Sequence, residues 1–143
     1  MNGSDAGPVP APGLVVVDAA NVVGSVPDGW WRDRRGAAER LRDRLAALTL
    51  GGLPEGEGVP GWATRTPLDL VLVVEGAARG VESVDGVRVE SAPGSGDDRI
   101  VEIVAEREPG RPCLVATADR GLRARVRELG ADVVGPRAVR PEG

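Results

Sequence analysis

The sequence predicts a three-layer α/β domain with a central parallel sheet and helices on both faces. Three observations carry this. The run Leu14–Val17 is apolar throughout, and Leu68–Val74 nearly so, the mark of strands buried on both sides. A third such stretch, Arg111–Thr117, is followed by a helical pattern. Strands alternating with helices in this way imply parallel pairing through crossover connections.

The elements follow in order. Residues 34–49 have a helical period, with Ala37, Ala38, Leu41, Leu45 and Leu48 on one stripe and the charged residues largely elsewhere. Residues 51–66 hold five glycines and two prolines and read as a loop. Residues 76–86 fit either a short helix or an irregular crossover. Val87–Glu90 reads as a short strand. A helix is expected over Asp97–Glu108, presenting Ile100, Val101, Ile103 and Val104, and another over Asp119–Leu129, with Leu122, Val126 and Leu129 inward. Gly130 suits that helix's C-terminal cap. Val133 and Val134 close the pattern. The expected organisation is a lead over residues 1–12, one domain over 13–136 and a tail over 137–143. The polar, Gly- and Pro-rich start lacks the pattern of a signal peptide, so a cytoplasmic protein is expected. No apolar run approaches the roughly 18 residues of a membrane span.

Composition removes several chemistries. The 143 residues contain no His, Tyr or Phe and a single Cys. Histidine-based triads and histidine-ligated zinc are therefore excluded in their usual forms, and one thiol cannot build a metal site. Cys113 reads as a small core residue. All 18 basic residues are Arg, which suits a G- and C-rich genome, and the net charge is −4. That balance disfavours a general polyanion-coating protein, yet a local arginine patch can hold phosphates beside an acidic site.

Carboxylates dominate what remains. Asp18 ends the first apolar run, with Asn21 three residues on. Asp97 and Asp98 follow the turn Pro93–Gly96. Asp119 ends the run that begins at Cys113. If the strand order is 3-2-1-4-5, Asp18 and Asp119 are neighbours at the topological switch point, where open α/β sheets bind ligands. Acids meeting there suit a divalent metal and phosphodiester cleavage. Each also has a structural role open to it. Asp18 and Asn21 can brace a turn, Ser95 and Asp98 can form a capping box, and Asp119 can cap the last helix.

Val17-Asp18-Ala19-Ala20-Asn21-Val22 resembles the opening motif of NYN domains, within the PIN-like nuclease superfamily. Gly96-Asp97-Asp98-Arg99-Ile100 is similar to that family's second acidic motif, and Ala116-Thr117-Ala118-Asp119-Arg120 to its third. The three occur in order across about residues 14–135. The resemblance implies a PIN-like (Rossmann-like) fold and a Mg²⁺- or Mn²⁺-dependent ribonuclease. By position, Asp18, Asp97 and Asp119 would hold the metal, Asp98 would be an auxiliary acid, and Asn21 would orient a ligand or water. One departure stands out. Many relatives carry a further acid past the third motif, and Arg120–Arg127 contains none.

Thr117 is a candidate to hydrogen-bond a carboxylate from behind, or to cap a helix. Trp31 and Arg32 are candidates to stack a base and hold phosphate, against a core role for the tryptophans. Arg120 is a candidate phosphate contact, and Ser95 lies in a turn able to offer N–H groups to an anion. A solvated helix face is expected for Arg123 and Arg127. RNA is the expected partner, and a homodimer is compatible with the sequence. Two alternatives stay open: an RNA-binding module of the same fold without catalysis, and a nucleoside triphosphate pyrophosphohydrolase. A phosphatase of the haloacid-dehalogenase kind would need Asp where Ala20 stands, and a Lys that is absent.

Overall fold

Strand β1 (Gly13–Asp18) runs at the centre of a five-stranded, all-parallel sheet, in a computed structural model that describes residues 12–140. The other strands are β2 (Leu68–Val74), β3 (Val87–Ser91), β4 (Cys113–Ala116) and β5 (Asp132–Val134). Their order is β3-β2-β1-β4-β5, the order that would make Asp18 and Asp119 neighbours. The helices are α1 (Ala19–Val23), α2 (Arg34–Leu48), α3 (Gly96–Glu106) and α4 (Arg120–Glu128).

Alternation along the strands divides the core in two. Val15 and Val17 of β1, Leu70, Leu72 and Val74 of β2, and Leu114 and Ala116 of β4 face α1 and α2. Leu14 and Val16, Val71 and Val73, and Cys113 and Val115 face α3 and α4, where Ile100, Val104, Leu122 and Val126 meet them. Cys113 is buried there as expected, and burial pushes its thiol up to about 11. Strands covered on both sides have no reason to alternate polar with apolar, hence their continuous runs.

Several features differ from expectation, among them Leu129, expected inward and in fact exposed. The short helix α1 starts directly after Asp18, in place of a simple turn. Val101 of α3 is half-buried and packs at the edge of its cluster. The Gly-rich stretch is no free loop: a 3₁₀ turn spans Gly61–Thr64, Leu53 and Ala63 are buried, and Leu53 donates its N–H to Ala63 at 2.8 Å. Residues 137–140, expected in the tail, belong to the packed structure. Val139 is fully buried, and Arg140 pairs with Asp28 at 2.6 Å. The rest of the tail, 141–143, and the lead up to residue 11 lie outside the described residues. Gly130 follows the end of α4 with a φ of 87° and donates its N–H to Arg127. No helix among the described residues is long and apolar enough to cross a membrane.

Candidate metal centre

The strand alternation that builds the core also aims the acids. Leu14 and Val15 of β1 point to opposite faces, so Asp18, two residues past Val16, points toward α3 and α4. Thr117, two past Val115, does the same from β4. Glu75, two past Val73, does so from the end of β2. The register pairs Val17 with both Leu72 and Ala116, so these three residues come level at the C-terminal edge of the sheet. The helices α3 and α4 begin over that same edge, bringing Asp97 and Asp119.

Asp18 is the anchor. It is only 4% exposed, yet ionisable. Its Oδ2 accepts the Thr117 hydroxyl at 2.9 Å, and its Oδ1 accepts the Asn21 N–H at 3.4 Å. Burial raises its pKa from 3.8 to about 6; the Thr117 and Asn21 hydrogen bonds oppose this, while the charges of Asp97 and Glu75 add to it. Thr117 works twice, since its hydroxyl also accepts the Asp119 N–H at 3.1 Å. Asn21 crosses to the same connection, its Oδ1 accepting the Ala118 N–H at 2.8 Å. Asp18, Asn21, Thr117 and Asp119 thus form one network tying α1 to the start of α4.

Asp97 sits half-buried in the first turn of α3. Burial raises its pKa, as do the charges of Asp119 and Glu75; Arg125 opposes them. Asp119 also caps α4, its Oδ1 accepting the Leu122 N–H at 2.8 Å. Ser95 caps α3 through the Asp98 N–H at 3.2 Å. The other half of the expected capping box is not made, because the exposed Asp98 carboxylate turns to Arg125 at 3.1 Å.

Glu75 is a site residue that the motifs do not mark, although it follows an apolar strand just as Asp18 does. Its Oε1 accepts the Gly96 N–H at 3.1 Å, fastening the start of α3 to β2. A Cβ at Gly96 would lie 2.5 Å from that oxygen, so glycine permits the approach. Arg79 holds the preceding turn from outside. Its guanidinium donates to the carbonyls of Ala92 at 2.7 Å, Gly94 at 3.2 Å and Pro93 at 3.4 Å. Glu75, just past the end of β2, is a further negative charge here and raises the pKa of both Asp18 and Asp97. Glu75→Ala is expected to cost about 1–2 kcal/mol of stability, whereas Glu75→Gln, which retains the oxygen acceptor, costs less. Chemical denaturation of both variants checks this.

The candidate substrate residues lie elsewhere on the edge. Trp30–Arg32 forms a 3₁₀ turn between α1 and α2. Trp30 packs on the core, while Trp31 is 50% exposed, with the Arg32 guanidinium 5.8 Å from its ring centre. Trp62 also packs on the core. No contact joins Trp31 or Arg32 to the acids among the described residues. Arg120 is exposed and makes no hydrogen bond or ion pair among the described residues. Arg123 departs from the solvated face expected of it: it is half-buried and donates to the Thr117 carbonyl at 2.7 Å.

Thr117→Val removes a hydrogen bond that lowers the Asp18 pKa. The variant is expected to titrate Asp18 above its present value of about 6. An NMR titration of the aspartate carboxyl carbons reads the midpoint in both proteins.

No family model matches this chain, and no curated protein does. Among solved structures, it is similar to Rae1 (YacP) from Bacillus subtilis, crystallised as a tryptophan-to-leucine mutant. The TM-score is 0.63 at 18% identity, over 91% of this chain and 74% of that one. The likeness is one of fold. An NAD-dependent aldehyde dehydrogenase from Burkholderia multivorans overlaps at a TM-score of 0.31 and 16% identity, over 89% of this chain and 35% of that one, too slight a likeness to bear on fold or function.

Proposed function

We propose that this protein is a divalent-metal-dependent ribonuclease, with Asp18, Asp97 and Asp119 holding Mg²⁺ or Mn²⁺. One observation carries the reading. Asp18 is a buried carboxylate beside two further negative charges, and no cationic side chain pairs with it among the described residues. Burying such a charge without a counter-charge is costly, and a bound cation would supply one. The donors are all hard oxygens, which suits Mg²⁺ or Mn²⁺.

The fit has a specific character. No group of three acids among the described residues is arranged to hold a metal ion by itself, and Asp119 spends one oxygen on its cap. Such a set suits an ion that keeps several waters and takes few direct protein ligands, as Mg²⁺ does. When bound, such an ion lowers the pKa of a water and offsets charge on a phosphate under attack. Thr117 and Asn21 fix the Asp18 carboxylate. Glu75 and Arg79 fix the turn that carries Asp97. Asp98 lies one position outward as the auxiliary acid of this reading. Ser95, Trp31, Arg32 and Arg120 are its RNA contacts.

The resemblance to NYN domains and the fold shared with Rae1 agree with this reading. A module that binds RNA without cutting it is the second reading, favoured by the capping role of Asp119. Cleavage of a single-stranded RNA bearing a fluorophore and a quencher separates them. Cleavage is expected in Mn²⁺ and absent in EDTA, with Asp97→Asn and Asp119→Asn each at least about a hundredfold slower. RNA binding without cleavage in any divalent ion favours the second reading.

A further inference from the structure

A cavity lies beside the acids rather than over them. It is a groove of about 680 Å³, with one wall made by Pro54–Val59 and the other by Gly135–Arg140. Ala118 also lines it, and its chain neighbours Thr117 and Asp119 belong to the acidic network, so the groove adjoins that edge. The strand order fixes its direction: from Glu75 after β2 past Asp18 at the end of β1 to Asp119 after β4, the next position is Gly135 after β5.

Its charges are sorted by wall. Arg137 is exposed on one side and makes no hydrogen bond or ion pair among the described residues. Arg140 beside it is neutralised by Asp28. Glu55 and Glu57 stand exposed on the other side. A polyanionic backbone is repelled from the glutamate wall and drawn to Arg137. Base and sugar groups offer N–H and O–H donors that carboxylates accept.

We infer that this groove binds the nucleotides flanking the scissile phosphate of a single-stranded RNA, with a backbone phosphate against Arg137 and the bases toward Glu55 and Glu57. The inference rests on the ribonuclease reading for its substrate class, and its test is separable from that reading. Binding is measured in EDTA, by anisotropy of a fluorescein-labelled single-stranded RNA over a salt series. Cleavage of the same RNA is measured in Mn²⁺.

Arg137→Ala is expected to weaken binding several-fold and to lower the slope of log affinity against log salt by about one. Arg137→Lys keeps the slope. Gly56→Leu fills the groove from its other wall, where an added Cβ approaches only Val59, at 4.0 Å, and weakens binding while the slope holds. Arg65→Ala removes an exposed charge from the opposite edge of the sheet, ahead of β2, and leaves both unchanged. If Arg137→Ala binds like the wild type, or loses no more than Arg65→Ala, the groove assignment is overturned, and cleavage by the wild type still upholds the nuclease. If Arg137→Ala and Gly56→Leu both weaken binding while no RNA is cut, the groove stands and the nuclease reading falls.

Discussion

Asp18→Asn is expected to abolish metal-dependent RNA cleavage and to leave the metal-free protein more stable than the wild type at neutral pH. The stability half follows from linkage. Asp18 titrates near 3.8 in the unfolded chain and near 6 in the folded one. Between those values the folded protein holds a proton that the unfolded chain has released. Stability therefore falls as pH rises across that interval, and at neutral pH the charged form carries the whole penalty, on the order of 3 kcal/mol. Asparagine removes the charge but meets Thr117 and Asn21 less well, since one of its two polar atoms is a donor. A gain of about 1–2 kcal/mol is the net expectation. Mn²⁺ reverses the order. At a hundredfold excess over its dissociation constant, a ligand adds about 2.7 kcal/mol to a protein that binds it. The wild type receives that and the variant does not. Denaturation of both proteins, with and without Mn²⁺, tests the crossing. A wild type more stable than Asp18→Asn in metal-free buffer would contradict the account of Asp18 as an unpaired buried charge.

Gly52→Ala is expected to destabilise the fold by at least about 3 kcal/mol, lowering the melting temperature by about 10 °C. Gly52 has a φ of +86°, and a Cβ there would overlap the carbonyl carbon and oxygen of Thr64. Those are backbone atoms and cannot rotate away. The Gly52 N–H also closes the end of α2 on Leu48 at 2.8 Å. Loss of this crossing frees the wall that carries Glu55 and Glu57. Gly51→Ala is the control, because nothing lies within 4 Å of a Cβ there. Equal melting temperatures for the two variants would show that the crossing contributes little.

The parallel sheet was legible because fully buried strands write themselves as continuous apolar runs. Leu14–Val17 and Leu68–Val74 need no partner to be recognised. Positions of Asp18 and Asp119 were legible because each follows a buried apolar run, and that of Asp97 because a glycine-rich turn leads into an apolar helical pattern. What was not legible depends on contacts between distant segments. Glu75 acquires meaning only when Gly96 comes within hydrogen-bond reach, 21 residues away. Arg123 looks in the sequence like one more surface arginine of α4, and its bond to the Thr117 carbonyl is set by how the helix leaves β4. The Gly-rich stretch conceals Leu53, Val59, Trp62 and Ala63, apolar residues too irregularly spaced to make a pattern, yet all packed in or against the core. Val139 is hidden in the same way, with only Ala138 beside it to suggest a buried segment.

The most direct test of the central claim is Mn²⁺ titration calorimetry on the wild type and on Asp18→Asn, Asp97→Asn and Asp119→Asn, with RNA cleavage assayed on the same samples. The account predicts binding in the wild type at neutral pH, lost or strongly weakened in all three variants, with cleavage confined to the wild type. A wild type that takes up no Mn²⁺ would contradict it, leaving the three aspartates as a buried brace, a helix-start acid and a helix cap.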